Sequence, residues 1–465
     1  MYNFNQEIHF VGIGGVGMAG IAEVLLNLGY RVTGSDIKRN DFVKHLEQCG
    51  AHVSIPHAAA NITESTSVVV VSSAVPVDNI ELETARDKGV PIIPRAEMLS
   101  ELMRMKYGIA VAGSHGKTTT TTMVGEMLRR ADLDPTVIVG GRVLSERSGA
   151  RAGLGKYIVA ESDESDGSFC LLRPSIAIVT NIDSEHLNHY GSFGALEDSF
   201  SQFMSSVPFY GLVVACFDDP VVRRLASQLK RRVVSYGLSP DHDLFASDIV
   251  CDGPVSSFTL YVSSTEAGRF QLPTSGVHNV CNALASVAVG VELGLSAEQA
   301  VRALEDFPGV ARRNEIVSET DGITVLDDYA HHPSEIKATL AALRNGWLPH
   351  TKEKNSTDDA KIYAIFQPHR YSRTRELFSS FVTAFGDADE VIVGEIYPAG
   401  EEPIEGIDGS HLASSIQHEN VQFVSDLSTA VSGLGTKLRP GDLVVTLGAG
   451  NVGSVARELA SALSS

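Results

Sequence analysis

The chain has 465 residues, 43% of them hydrophobic and 20% charged, with a formal net charge of −20. That length exceeds one ordinary hydrophobic core, so two or three domains are expected, and the composition is that of a folded chain rather than a disordered one. The acidic balance argues against a nucleic-acid binder, so any anionic ligand must be met by a local positive site.

The start, "MYNFNQEIHFVGIGGVGM", has no basic segment followed by a long apolar run, so no secretory signal is expected. No stretch reaches the ~18 apolar residues of a membrane span. Cys49, Cys170, Cys216, Cys251 and Cys281 are scattered and form no Cys-x-x-Cys pair. That argues against a zinc site built from cysteines and fits a reducing cytoplasm.

Short apolar runs alternate with helical patterns from the first residues onward. "IHFVGIGG" reads as a strand ending in glycines, "AGIAEVLLNLGY" as a helix, and "RVTGSD", "SVVVVSSAV" and "VPIIPRAEML" repeat the scheme. The alternation predicts parallel sheets covered by helices, an α/β fold. "GIGGVG" at 12–17 matches Gly-x-Gly-x-x-Gly between a strand and a helix, and Asp36 ends the next strand, where a ribose-binding acid belongs. The pattern implies a backbone approaching a diphosphate, be it of NAD, FAD or a nucleotide sugar; the bland alternative is a tight turn. A second match, "GAGNVG" at 448–453, reads as turn packing.

A new unit starts near Tyr107 with "YGIAVAGSHGKTTTTT". Its Gly113 is too close to Gly-Lys-Thr for the usual phosphate loop. The parts are nonetheless those of a nucleotide site. Gly113, Ser114, His115 and Gly116 can turn N–H groups on an anion, Lys117 supplies a fixed charge, and the hydroxyls of Thr118 or Thr119 suit Mg²⁺. A helix beginning near 117 adds its positive end. "YIVAESDES" puts Glu161 past one apolar strand and "IVTNIDSEHLNHY" puts His186 past another. Both can reach a metal near Thr118 if those strands flank the loop strand. Asp163, Glu164 and Asp166 read as helix caps.

Residues 242–274 alternate without helical period and read as strands inserted in the α/β domain. "GVHNVCNALASVAVGVELGL" reads as a helix with Asn279 and Asn282 near its start. A third unit begins around Gly309, with strands "GITVLDDYA", "KIYAIFQPH", "DEVIVGEIY" and "DLVVTLGAG", and with 351–360 as a polar loop. Arg312 and Arg313 open it, and at a domain junction one of them can swing onto a transferring phosphate. Asp327, Asp328, His331 and His332 follow a strand, with spacing poor for one metal. His369, Arg370, Arg373 and Arg375 can hold a carboxylate or form a solvated turn.

Taken in order, the glycine-rich start, "GSHGKTTTT", "ESDES", "TNIDSEHLNHYGSF", "GVHNVCNALA", "VARRNE", "DDYAHHP", "PHRYSRT" and "YPAGE" resemble the Mur ligases, over residues ~8 to ~455. The resemblance implies three domains: two Rossmann-like domains at 1–105 and 311–465 flanking a central P-loop-type ATPase domain at 106–310 with a mostly parallel sheet. It implies an ATP-dependent acid–amino-acid ligase that joins L-alanine to UDP-N-acetylmuramate through an acyl phosphate, in peptidoglycan precursor synthesis. A short phosphate loop belongs to this pattern.

Carried onto this chain, Gly113 to Thr119 would hold ATP, with Lys117 on the phosphates and Thr118, Glu161 and His186 on Mg²⁺. Asn279, Asn282 and Arg313 would contact nucleotide, Asp328 the ribose, and His331 would lie close by. Tyr329, His369, Arg370 and Arg373 match the amino-acid pocket. Gly12, Gly14, Gly15 and Gly17 would face the UDP diphosphate, with Asp36, Ser72, Ser73 and Ala74 near the uridine or sugar. Lys117, Glu161, His186 and Arg313 form the implied catalytic set. The stretch at 192–209, "SFGALEDSFSQFMSSVPF", has no lysine, which departs from the relatives that carry a carbamylated one and fits the alanine-adding branch. No nucleic-acid or membrane partner is expected, and the chain would act as a monomer or homodimer. The competing readings are a murein-peptide recycling ligase on the same nucleotide sugar, an NAD-dependent oxidoreductase built on "GIGGVG", and a nucleotide-regulated binding protein without chemistry.

Overall fold

The computed structural model describes residues 6–72, 74–140, 150–435 and 437–464. The strand–helix alternation becomes three sheets. The first contains β1 (Glu7–Val11), β2 (Arg31–Ser35), β3 (His52–Ser54), β4 (Thr66–Val71) and β5 (Ile92–Pro94), ordered β3-β2-β1-β4-β5 and parallel throughout. Helices α1 (Val16–Asn27), α2 (Asp41–Gln48) and α3 (Ile80–Asp87) connect its strands, and α4 (Arg95–Arg104) leads out. All five positions of β1 are buried, as a strand covered on both faces requires.

The second sheet follows, with β6 (Tyr107–Ala112), β7 (Thr136–Ile138), β8 (Ala150–Arg151), β9 (Tyr157–Glu161), β10 (Ile176–Val179), β11 (Leu212–Cys216), β12 (Val233–Gly237), β13 (Leu244–Asp252), β14 (Val255–Val262) and β15 (Thr265–Leu272). Their order is β15-β14-β13-β12-β11-β10-β6-β9-β7-β8, which puts β6 between β10 and β9. Helix α5 (Lys117–Arg130) follows β6. The region read as an insertion forms β13 to β15.

The third sheet holds β16 (Glu315–Thr320), β17 (Ile323–Asp328), β18 (Ile362–Phe366), β19 (Glu390–Val393), β20 (Val421–Phe423) and β21 (Leu443–Leu447), ordered β16-β17-β21-β18-β19-β20. Only β16 runs antiparallel to its neighbour. Period-2 alternation sorts its side chains cleanly. Leu326, Ala364, Phe366, Val393, Val445 and Leu447 face one core with Ile336, Leu340 and Trp347. Val325, Tyr363, Ile365, Ile392 and Val444 face the other, with Leu434, Val455 and Leu459.

By compactness the chain divides into two units. One comprises Met1–Ala246, Leu260–Gly268 and Cys281–Leu304, and so carries both of the first two sheet cores. The other comprises Ser247–Thr259, Arg269–Val280 and Glu305–Ser465. In the first unit a single apolar core runs from Ile8 and Phe10 through Met98 and Leu102 to Phe200 and Val213.

One expectation fails. Residues 351–355 are not loop but the end of a helix, Leu348–Asn355, which continues Pro333–Ala342 through a π-helical turn at Leu343–Trp347. Lysine and glutamate are good helix formers whatever their polarity, and Thr351 is buried. The helix ends where Ser356 takes a left-handed conformation (φ +52°).

The first sheet is locked by a buried carboxylate. Glu81, at the start of α3, has no exposed surface. It accepts hydrogen bonds from the Ser35 hydroxyl, from Asn61 Nδ2 (2.5 Å) and from the Ala58 N–H (3.1 Å), and lies 3.5 Å from His9 Nε2. Burial alone would raise its pKa, but the partners His9, Ser35, Asn61 and Ala58 hold it down at about 2. A folded-state pKa depressed from 4.5 means stability that is present above that value and lost as pH falls toward 2. Glu81→Gln should therefore cost about 3 kcal/mol at neutral pH, in line with the size of the shift. Denaturant titrations of the two proteins should converge between pH 4.5 and pH 2; a gap that persists at the acid end would refute the ionic origin.

Candidate active site

The C-terminal ends of three adjacent strands meet at the glycine–lysine loop. β6 pairs with β9 in the register Val111↔Glu161 and with β10 in the register Ala112↔Val179. The loop leaves β6 through Gly113 at φ +137° and enters α5 through Gly116 at φ +80°, both conformations that favour glycine. A Cβ on Gly113 would lie 2.0 Å from Thr180 Oγ1, so the close approach to the next strand also demands glycine.

That next strand's exit braces the loop. The Ser114 N–H donates to Asn181 O (3.1 Å) and the His115 N–H to Asn181 Oδ1 (2.8 Å). The Thr180 hydroxyl and Asn181 Nδ2 both donate to His115 O, at 2.7 and 3.1 Å. Ser114 Oγ accepts from the Asp183 N–H (2.8 Å), and His115 Nε2 lies 3.1 Å from Asp183 Oδ2. Ser114 and His115 thus shape the loop through their side chains as well as their backbone.

Lys117 opens α5 as expected. Its ammonium donates to Gly113 O (2.5 Å), Ser114 O (3.1 Å) and Glu164 Oε1 (2.9 Å). Burial would lower its pKa, but Glu164, Asp163 and Glu161 raise it, so it stays a cation. Burial raises the Glu164 carboxyl to about 7, against the pull of Lys117 and with help from the Asp163 charge. Glu164 is therefore not a helix cap. Its neighbours brace turns: Asp163 Oδ1 accepts from the Ser165 N–H and Asp166 Oδ1 from the Ser168 N–H, each at 3.0 Å.

Thr118 and Glu161 come together as predicted, the Thr118 hydroxyl donating to Glu161 Oε2 at 2.9 Å. The same oxygen accepts from the Gly140 N–H (2.8 Å). Thr119 is buried in the same helical turn. His186 sits just past β10 in a left-handed conformation (φ +57°), which for a non-glycine residue costs about 1–3 kcal/mol and is a mark of functional sites. Its Nε2 lies 3.7 Å from Glu164 Oε1 and 3.9 Å from Glu185 Oε2. Glu164, Glu185 and His186 each offer a ligand atom within 4.8 Å of the others, and the sequence reading missed the two glutamates. Asn282 accepts from the Thr120 hydroxyl (3.1 Å), and its Oδ1 lies 2.8 Å from where a Gly116 Cβ would be.

In the first sheet, the glycine turn follows β1, next to the point where strand order reverses. Gly12 is at φ +82°, and a Cβ there would press on Ser72 Cβ (3.2 Å). Gly15 caps α1 and Gly17 packs against Arg95. Asp36 Oδ2 accepts from the Gly14 N–H (2.8 Å) and Oδ1 from the Ile37 N–H (2.8 Å), so this carboxylate braces the turn. Ser72 Oγ accepts from the Ala74 N–H (3.4 Å), while Ser73 lies outside the described residues.

In the second unit the predicted residues gather past β17 and β18. The Tyr329 ring is flanked by Arg312 and Arg313, at 5.0 and 5.2 Å from its centroid. It packs on His331 (5.3 Å), which faces His369 (6.0 Å), which stacks on Tyr397 (5.6 Å). Arg313 Nη1 lies 3.5 Å from Glu335 Oε1. Arg312 is spent on structure: it donates to Gly448 O (2.5 Å), Gly450 O (3.1 Å) and Asp327 (3.1 Å), which makes the second glycine motif a packed turn as read. Asp328 is braced by the Asn314 and Ala330 N–H groups, each at 2.7 Å, and burial lifts it to about 6. Asn279 donates to Ser275 O (2.8 Å) and Thr274 Oγ1 (3.0 Å) at its helix start.

Burial, together with His331, Arg373 and Arg370, lowers His369 to about 3, so it is neutral at physiological pH. Arg373 Nη1 lies 3.2 Å from His369 Nδ1. A guanidinium can only donate, so Nδ1 carries the lone pair and Nε2 the proton. Arg370 caps the helix Tyr371–Glu376 at φ +68°, its N–H donating to Tyr397 O (2.8 Å).

Three family models cover this chain in order: "Mur ligase family, catalytic domain" over 7–107, "Mur ligase middle domain" over 111–290, and "Mur ligase, glutamate ligase domain" over 312–450. The chain belongs to the Mur ligase family. It is 47% identical to the UDP-N-acetylmuramate–L-alanine ligase of Geotalea daltonii, over 100% of this chain and 99% of that one. The Geobacter sulfurreducens enzyme of the same name is also 47% identical, covering 97% and 96%. The crystal structure of UDP-N-acetylmuramate-alanine ligase MurC from Thermotoga maritima superposes with a TM-score of 0.79 at 29% identity, over 98% and 99% of the two chains. A murein peptide ligase from Psychrobacter arcticus gives 0.66 at 25%, covering 99% of each.

The loop geometry orders two substitutions. Gly113→Ala combines a forbidden φ with a 2.0 Å overlap and should cost roughly 3 kcal/mol or more. Gly116→Ala meets only the end of the Asn282 side chain and should cost roughly 1–2 kcal/mol. Urea unfolding midpoints measure both, and equal losses would show that the Thr180 contact is not the constraint.

Proposed function

We propose that this protein uses ATP to join L-alanine to the lactyl carboxylate of UDP-N-acetylmuramate, through an acyl phosphate, in peptidoglycan precursor synthesis. The observation that carries the reading is a Lys117 ammonium kept cationic by neighbouring carboxylates at a glycine loop, beside a hydroxyl–carboxylate pair, in a chain 47% identical end to end to ligases of that name. An oxidoreductase built on the first glycine turn would leave that apparatus without a use.

We assign the nucleotide sugar to domain 1–105, with Gly12, Gly14, Gly15, Gly17 and Ser72 against it and Asp36 holding the turn. ATP goes to 106–310, on Gly113 to Thr119 and Asn282. We further assign nucleotide contacts to Arg313, Asp328, His331 and Asn279. The hydroxyl and carboxylate oxygens of Thr118 and Glu161 are the hard donors Mg²⁺ prefers, and with His186 they would hold it. When bound, the ion neutralises phosphate charge.

In the first half-reaction Lys117, held on the sheet edge, and Arg313 stabilise the charge that develops as the γ-phosphoryl passes to the lactyl oxygen. The alanine amine then attacks the acyl carbon and phosphate leaves. Tyr329, His369, Arg370 and Arg373 form the alanine pocket. With Nδ1 facing Arg373, His369 is a donor through Nε2, suited to the alanine carboxylate, and does not act as base; of the other candidate bases for the amine proton, His186 and His331 remain. The substrates place the enzyme in the cytoplasm, with one chain acting alone or paired with a copy of itself.

The deciding test follows ¹⁸O from the lactyl carboxylate into released phosphate. Label appears there if an acyl phosphate forms, and its absence refutes the reaction. Turnover with a tripeptide rather than alanine would assign the recycling reaction instead. Lys117→Ala should reduce phosphate release at least ~10³-fold, the scale of losing a principal electrostatic group, while sugar-nucleotide affinity changes less than about threefold. Loss of both would contradict separate sites. Arg373→Ala should raise the alanine KM ~10-fold or more with little change for ATP, by removing a charged hydrogen bond; an unchanged alanine KM takes Arg373 out of the pocket.

A further inference from the structure

Away from the lysine loop, the first unit carries a second convergence of ligand atoms. Glu23 lies on α1, His45 on α2, and Cys49 caps the C-terminal end of α2. His45 and Cys49 are four residues apart and share a helix face. His45 Nε2 lies 3.3 Å from Glu23 Oε2 and 3.6 Å from Cys49 Sγ, and all three atoms fall within 4.8 Å of one another. We infer that Glu23, His45 and Cys49 form a binding site for a thiophilic divalent cation of the zinc class.

The distances carry the argument. With bonds of about 2.05 Å to nitrogen, 2.1 Å to oxygen and 2.3 Å to sulfur, tetrahedral coordination sets an N···O edge near 3.4 Å and an N···S edge near 3.6 Å. Both measured edges match. They also meet at one imidazole nitrogen. With no cation, the carboxylate and the thiol would have to share one weakened three-centre contact at that nitrogen, whereas a cation between them is bound by all three. The side-chain exposures of 15% for Glu23 and 37% for His45, with Cys49 exposed, leave a solvent-facing fourth position for water. Thiolate and imidazole select zinc over magnesium, and Cys49 would release its proton to solvent on binding.

Such a site would clamp two helices. Gly15 caps α1 and Asn40 caps α2, and Asn40 Nδ2 donates to Gly14 O at 2.9 Å. The cation would fix the far end of α2 against α1, while this hydrogen bond fixes the near end at the glycine turn. A search for Cys-x-x-Cys pairs cannot see a site with one ligand of each kind on two helices.

The test uses the full-length, reduced, metal-stripped protein titrated with Co²⁺. One equivalent should give a thiolate-to-cobalt charge-transfer band in the near ultraviolet, displaced by Zn²⁺, and a higher thermal midpoint. Cys49→Ser should abolish the band, and His45→Ala or Glu23→Gln should weaken binding roughly tenfold or more. Cys251→Ser should leave it intact. Cobalt held by oxygen ligands elsewhere gives no sulfur band. The absence of the band at saturating cobalt, or its survival in Cys49→Ser, overturns the site; neither result bears on the ligase reaction.

Discussion

A lysine ammonium withdrawn from water must find its charge and its three hydrogens answered within the protein. Lys117 does: two loop carbonyls and Glu164 take all three. This arrangement ties the loop's shape to the cation's position. Gly113 O and Ser114 O face Lys117 because the loop turns through two left-handed glycines, and the loop can turn there because β10's exit residues grip it from the other side. The carboxylate that completes the cage, Glu164, lies three residues past the strand on the opposite flank, β9. Remove any of the three strands' contributions and the ammonium is left partly unanswered.

The same constraint, applied to a parallel sheet, explains why the candidate site residues of this chain cluster where they do. Strands buried on both faces leave little room for charged side chains along their length, so most of these sit at or beyond the C-terminal ends. Glu161 at the end of β9, Thr180 to His186 after β10, Asp328 at the end of β17 with Tyr329 just past it, and His369 after β18 all lie there. Each also carries a structural duty. Asp36 and Asp328 look like ligand-binding acids but are satisfied by backbone N–H groups, so their orientation is fixed before any ligand arrives.

Much of this was legible in the chain itself. A glycine–lysine–threonine sequence between an apolar strand and a helix has few other uses, and Glu161 follows a strand that had to lie nearby. What was not legible depends on burial. Asp163, Glu164 and Asp166 share one local context, and nothing in their spacing says that Glu164 turns inward while the other two cap turns. Glu185 adjoins a histidine whose left-handed backbone aims it, a conformation that composition does not reveal. The polar stretch at 351–355 misled in the opposite direction: polarity indicated exposure, and exposure was taken for loop, although lysine and glutamate sustain a helix whose inner face needs only Thr351.

Arg312 and Arg313 make the point most sharply. As neighbours they are chemically identical. Arg312 takes φ +58°, which turns its guanidinium onto the carbonyls of a glycine turn and a fully buried aspartate, and each of its three nitrogens donates to one of these partners. Arg313 instead lies over Tyr329, with its Nη1 3.5 Å from Glu335 Oε1. The backbone of one residue thus directs one of two equal charges into building the domain.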